Sequence, residues 1–267
     1  MNINEYILKT AFVNSWKSLG KQFVHVLFLD YLYYIILLLV GSFYWYRILP
    51  LFGAVLDSAK LLQSSQTFSS TQEFLTTVQG IGTQWSAFKW YSLGVFLVLF
   101  VNYLIFKYLV WMKIQRKQES FASFWKHLGF FALLNLIVIL FYILVLAASW
   151  YMFVLETFNI LFFFVVPLLL LFTMNVLHPA FMLQQNFVSS FSLFWNYGIK
   201  KFYLWIIPHL FMLAGAYFIM WFVSLFTFIP NIFYFFFYVL FFAAYFCWAK
   251  YYIYAVLKKI QQTRKLS

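Results

Sequence analysis

Six stretches of this 267-residue chain are apolar almost without interruption: 23–49, 88–112, 128–155, 158–183, 202–228 and 232–257. A helix needs about 20 mostly apolar residues to cross the hydrocarbon core of a bilayer, and each stretch has that length. The third and fourth are separated only by Glu156 and Thr157. Without a break there, residues 128–183 would form one apolar rod of about 84 Å, which no bilayer accommodates. The fifth and sixth are separated by Ile229-Pro230-Asn231, which reads as a tight turn. The fold class expected is therefore all-α, a polytopic membrane protein of six transmembrane helices. Residues 66% hydrophobic and 9% charged exclude a soluble domain, because too little polar surface exists to cover it. The first stretch is too long for a cleavable signal sequence and lacks a small-residue cleavage site, so it reads as a retained first span.

Orientation follows from the 18 Lys and Arg. If the spans alternate, fifteen fall on one side, and Arg47, Lys60 and Lys89 fall on the other. The positive-inside rule places the rich side, with both termini, in the cytoplasm, and the localisation expected is the cytoplasmic membrane. The basic excess flanks apolar runs and forms no face of a soluble fold, so it points to anionic lipid headgroups and not to nucleic acid. Residues 50–87 form one long connection on the opposite side. Within it, Ser70-Thr71-Gln72-Glu73 fits a capping box, and Gly80 is placed to end the short helix that follows. Leu51, Phe52, Val55, Leu56, Ala59 and Leu62 recur at helical spacing and suggest a further helix before it.

Three segments on the basic side resemble one another. They run Phe12 to Gly20 through Trp16 and Lys17, Phe121 to Gly129 through Trp125 and Lys126, and Phe191 to Gly198 through Trp195. Phe and Trp four apart share a helix face, Trp favours the headgroup level, and the glycine lets the chain turn into the bilayer. Each segment reads as an interfacial elbow followed by a helical hairpin. The single domain then divides into repeat one at 1–112 with the outer loop 50–87, repeat two at 113–183, repeat three at 184–257, and a basic tail at 258–267. With these elbows the chain resembles a broad class of prokaryotic six-helix membrane proteins, which includes the membrane domain attached to some glycerophosphodiester phosphodiesterases. The resemblance implies a helical membrane domain. No soluble catalytic segment lies within these residues, so the phosphodiesterase activity is not implied.

Ionisable groups are costly at membrane depth, about 2.5–3.5 kcal/mol each on an insertion scale, and their positions carry the functional information. Asp30, Asn135, Asn175, His209 and Lys250 fall about 10 Å from the basic end of their helices, with Asn102 somewhat deeper and His178 slightly nearer that end, so the seven occupy nearly one layer. One reading lines a cavity open to the cytoplasm with these seven, Asp30 pairing with His209 or Lys250. The other makes them interhelical glue, with Lys107 and Lys250 snorkelling to the headgroups. Pro167 and Pro208 are expected to kink their helices, and Pro179 to end the fourth span. Gly41, Gly94 and Ala214-Gly215-Ala216 are expected to permit close helix contacts.

No phosphate-cradling Gly-Lys-Ser/Thr loop, Gly-x-Gly-x-x-Gly, His-Glu-x-x-His or Gly-x-Ser-x-Gly occurs. The lone Cys247 forms no disulfide framework, and no cofactor or metal is implied. The function expected is a non-enzymatic membrane-embedded scaffold or accessory to lipid or protein partners. The alternative is a transporter of a small solute or lipid that uses the polar layer.

Overall fold

The computed structural model describes residues 3–17, 20–63, 71–116, 119–152, 156–225 and 231–264, and among them every element is helical. In chain order these are α1 (Ile3–Lys17), α2 (Lys21–Phe43), a π-helical turn (Tyr44–Ile48), α3 (Leu49–Gln63), α4 (Thr71–Gln115), α5 (Phe121–Met152) and α6 (Glu156–Gln184). They continue with α7 (Phe187–Leu193), a second π-helical turn (Phe194–Ile199), α8 (Tyr203–Ser224) and α9 (Asn231–Arg264). Six helical stretches are long and apolar enough to cross a membrane: Gln22–Lys60, Thr71–Gln115, Phe121–Val145, Val165–Gln184, Tyr203–Ser224 and Phe236–Gln262. The chain is a multi-pass helical membrane protein. Large apolar side chains such as Leu144 and Tyr217 are exposed, which suits a surface solvated by lipid.

The chain divides into two compact units, Met1–Tyr31 with Phe106–Ser267, and Leu32–Ile105. In the larger unit α9 packs against α1, α6 and α8, and α5 packs against α6. Aromatic rings make the α1–α9 seam: Phe12 meets Trp248 and Tyr252 at centroid distances of 5.9 and 6.0 Å, and Trp16 meets Trp248 at 5.4 Å. In the smaller unit Phe52 of α3 packs on Trp85 and Phe88 of α4, at 6.2 and 5.2 Å.

Several local expectations are corrected. The helix expected over 51–62 is present as α3, but 71–87 are not a separate short helix: they are the opening turns of the 45-residue α4. Gly80 lies inside α4 and does not end it, since one glycine costs a helix only about 1 kcal/mol. Pro179 likewise lies inside α6, which continues to Gln184; the ring removes a single backbone bond, and the helix resumes beyond it. Gly41 and Gly94 have open space where a side chain would be, so no close helix contact needs them. Ser70 of the capping box and residues 226–230, which hold most of the expected turn before Asn231, lie outside the described residues. The break near Glu156 falls between α5 and α6, at 153–155, also outside them.

The three elbow segments do not share one backbone form. At the first, α1 ends at Lys17 and α2 starts after Gly20, with the Phe23 amide donating to the Gly20 carbonyl at 2.9 Å. At the second, Phe121, Trp125, Lys126 and Gly129 all lie in the uninterrupted α5, so Gly129 turns nothing. At the third, Trp195 and Gly198 lie in the π-helical turn, and Gly198 is needed there for space. A Cβ on it would stand 2.9 Å from the Phe194 ring and 3.3 Å from Val176. Trp16, Trp125 and Trp195 nonetheless share one property, each being about half exposed at 54%, 53% and 48%.

Gly215 makes the tightest seam between α8 and α9. A Cβ there would stand 2.5 Å from Tyr245 Cζ and closer still to its hydroxyl oxygen. That hydroxyl donates to the carbonyls of Met212 and Phe211, at 2.9 and 3.1 Å. Gly215→Ala is expected to lower stability by about 1–3 kcal/mol through overpacking. Thermal unfolding in detergent measures it. Adding Tyr245→Leu to the alanine variant should recover part of the loss, and no loss in the single variant would show the seam to be loose.

Candidate functional site

Five helices bring polar side chains together in the larger unit. Asp30, about half a turn before the middle of α2, is 1% exposed. Its carboxylate accepts from the Lys250 ammonium of α9 through both oxygens, and Lys107 Nζ of α4 stands 3.8 Å from Oδ1. Both lysines are themselves nearly enclosed, with side chains 11% and 14% exposed. Beside them, Asn135 of α5 and His178 of α6 are joined by a 2.8 Å bond between Oδ1 and Nε2. The Asn135 amide donates at 2.7 Å to the Phe131 carbonyl one turn back, and the Phe131 ring packs tilted against His178 at 4.8 Å. Both ammonium groups act electrostatically on His178, so the carboxylate cluster and the amide–imidazole pair form one polar layer.

A second cluster centres on Glu119, just before α5, whose side chain is 6% exposed. Tyr108 of α4 donates its hydroxyl to Oε2 at 2.8 Å, and the Gln185 side chain donates to Oε1. His127 Nδ1 of α5 stands 3.2 Å from the same oxygen, close enough for an ion pair when the ring is protonated but misaligned for a hydrogen bond. Arg116 and Gln185 carry positive φ values of 59° and 52°, which turn the chain sharply after α4 and after α6 and deliver Glu119 and Gln185 to one another.

The remaining expected residues fall elsewhere. His209 of α8 bonds through Nδ1 to the Trp205 carbonyl at 2.9 Å and packs on Phe172 at 5.2 Å, and its Nε2 is buried without a partner. Asn175 is half-buried on α6, and Asn102 belongs to the smaller unit, with its amide nitrogen buried and unbonded. Lys107 does not snorkel; it points inward to Asp30. Asp30, Asn135 and His178 are 1%, 0% and 4% exposed, so these three side chains are almost wholly enclosed by protein. Cys247 is buried and free, its sulfur 4.0 Å from the Phe23 carbonyl.

No protein-family model, curated protein or solved structure matches the chain. The site must therefore be read from its own chemistry. Among the described residues no group of three or more His, Cys, Asp or Glu is placed to hold a metal. The polar layer is built of side chains that engage one another across helices. What it does is join α2, α4, α5, α6 and α9 through charged and amide bonds.

Sequence reasoning passed over Glu119 because it lies outside the apolar runs. Its signal was local: Ser120, beside it, accepts from the Ser123 amide at 3.4 Å, which marks residues 119–120 as the start of a helix and therefore near the interface. Lys107 could have been found by depth, since it lies in the same layer as Asp30.

Proposed function

We propose that this protein is a non-enzymatic scaffold or accessory of the cytoplasmic membrane, with its basic ends in the cytoplasm, serving anionic lipids or a protein partner. The observation that carries the reading is the closure of the polar layer. Its acid, amide and imidazole are buried and bonded to neighbouring helices, as glue between helices must be, whereas a permeation path needs groups left open to water. The excess of Lys and Arg at one end of the spans supports the orientation and the attraction to anionic headgroups.

Flux measurements on the purified full-length protein in proteoliposomes test the proposal. Protons, monovalent cations, amino acids and sugars should each leak no faster than from protein-free vesicles. Saturable flux of any of them above that of protein-free vesicles would overturn the scaffold reading in favour of transport.

A further inference from the structure

The larger unit contains a cavity of about 490 Å³ where the ends of α1, α4 and α9 meet. This volume lies within the range of small-ligand sites. Four cationic side chains line it: Lys17 at the end of α1, Arg116 just past the end of α4, and Lys258 and Lys259 near the end of α9. No acid is among the lining residues. Helix C-termini favour cations for their own sake, which accounts for a lysine or arginine at each end taken singly. It does not account for two other residues of the same wall. The Tyr251 side chain is 4% exposed, and its hydroxyl is buried with no hydrogen-bond partner. The Gln115 side chain, on the wall between α4 and the cavity, has both its amide nitrogen and its amide oxygen buried and unbonded. Buried polar atoms are otherwise almost always bonded, so these are groups left for a ligand to satisfy: the Tyr251 hydroxyl and the Gln115 amide nitrogen can donate, and the Gln115 amide oxygen accepts. Arg116 acts electrostatically on the Tyr251 hydroxyl, so a guanidinium and an uncommitted hydroxyl lie close to one another.

We propose that this cavity binds a phosphate group, with Lys17, Arg116 and Lys258 supplying charge and Tyr251 and Gln115 supplying neutral hydrogen bonds. A fork of guanidinium donors beside ammonium groups and a phenol suits a tetrahedral oxyanion. The phosphate can come from a lipid headgroup or from a soluble phosphate compound; the chemistry is shared. The site deepens the proposed function, resting on it only for the expectation that this end meets anionic ligands. Binding and flux are separate readouts, so loss of one leaves the other standing.

The test is ligand-dependent thermal stabilisation and calorimetric binding of the full-length protein in a neutral detergent. The probes are inorganic phosphate, dihexanoyl phosphatidic acid and dihexanoyl phosphatidylcholine. Phosphatidic acid, phosphate or both should bind saturably at one site and weaken as salt rises, while phosphatidylcholine should bind at least tenfold more weakly. Binding of phosphatidic acid alone assigns the site to lipid; binding of inorganic phosphate assigns it to a soluble source. Lys17→Gln with Lys258→Gln should weaken binding at least tenfold. Tyr251→Phe, which removes one oxygen from a buried ring, should weaken it several-fold with the melting temperature of the unliganded protein unchanged. Absence of saturable binding by either anionic probe would overturn the assignment, as would equal binding of phosphatidylcholine or undiminished binding by both variants.

Discussion

Asp30→Asn is expected to lower stability in detergent by about 3–5 kcal/mol, the usual result of removing one partner from a buried ion cluster. The reason is the imbalance of the site. One acid serves two bases, Lys250 in direct contact and Lys107 at 3.8 Å, and all three side chains are nearly enclosed. Without the carboxylate, two ammonium groups face each other in a low-dielectric interior with no counter-charge. The two lysines should not be equivalent. Lys250→Met removes the ammonium that contacts both carboxylate oxygens but leaves Lys107 within reach, so its cost should be smaller than that of Asp30→Asn. Lys107→Met should be the mildest of the three. Replacing the cluster as a whole, by Asp30→Leu with Lys250→Leu and Lys107→Leu, should recover much of the stability lost in Asp30→Asn, because an apolar replacement of a whole buried cluster is often neutral or better. Thermal or denaturant unfolding of the five proteins in one detergent measures the order. Asp30→Asn no less stable than Lys107→Met would show that the carboxylate is not the hub.

Glu119→Ala is expected to cost about 3 kcal/mol. Hydrogen bonds to a charged group contribute about 1.5–3 kcal/mol each, and two converge on this carboxylate, from Tyr108 and from Gln185. Part of that should be recovered by relaxation of Gln185, which stands at a turn. Hydrogen exchange supplies the local readout: amides around the starts of α5 and α7 should exchange faster in the variant, while those in the middle of α9 should not. Tyr108→Phe removes one donor from the same carboxylate and should show about a third to a half of the effect. A Glu119→Ala protein with wild-type unfolding and wild-type exchange would remove the cluster as a structural element.

These two sites differ in how far they can be read without coordinates. The depth of Asp30, Asn135, His178 and Lys250 follows from counting residues into each apolar run, because rise per residue in a helix is fixed. Which of them touch does not follow, because it depends on how each helix is rotated about its axis. His209 lies at the same depth as Asp30 in its own helix, yet it turns to Trp205 and Phe172. Lys107, which local reasoning sends to the headgroups, is turned inward by the packing of α4. The meeting of Glu119 with Gln185 was not legible for a related reason: the turns after α4 and α6 use left-handed Arg116 and Gln185, and neither residue type announces that conformation.

The sequence by itself determined that this chain is helical and crosses a membrane, and which six apolar stretches its long helices contain. Hydropathy is a local quantity, and lipid leaves the backbone no partner but its own helix. The same rule explains why Pro179 does not end its helix. Tertiary structure alone decided the pairing of Asp30 with Lys250 and Lys107, the meeting of Gly215 with Tyr245, and the grouping of Lys17, Arg116 and Lys258 around one cavity. Each joins residues far apart in the chain, and such contacts are set by the mutual rotation and packing of whole helices, on which no single segment carries information.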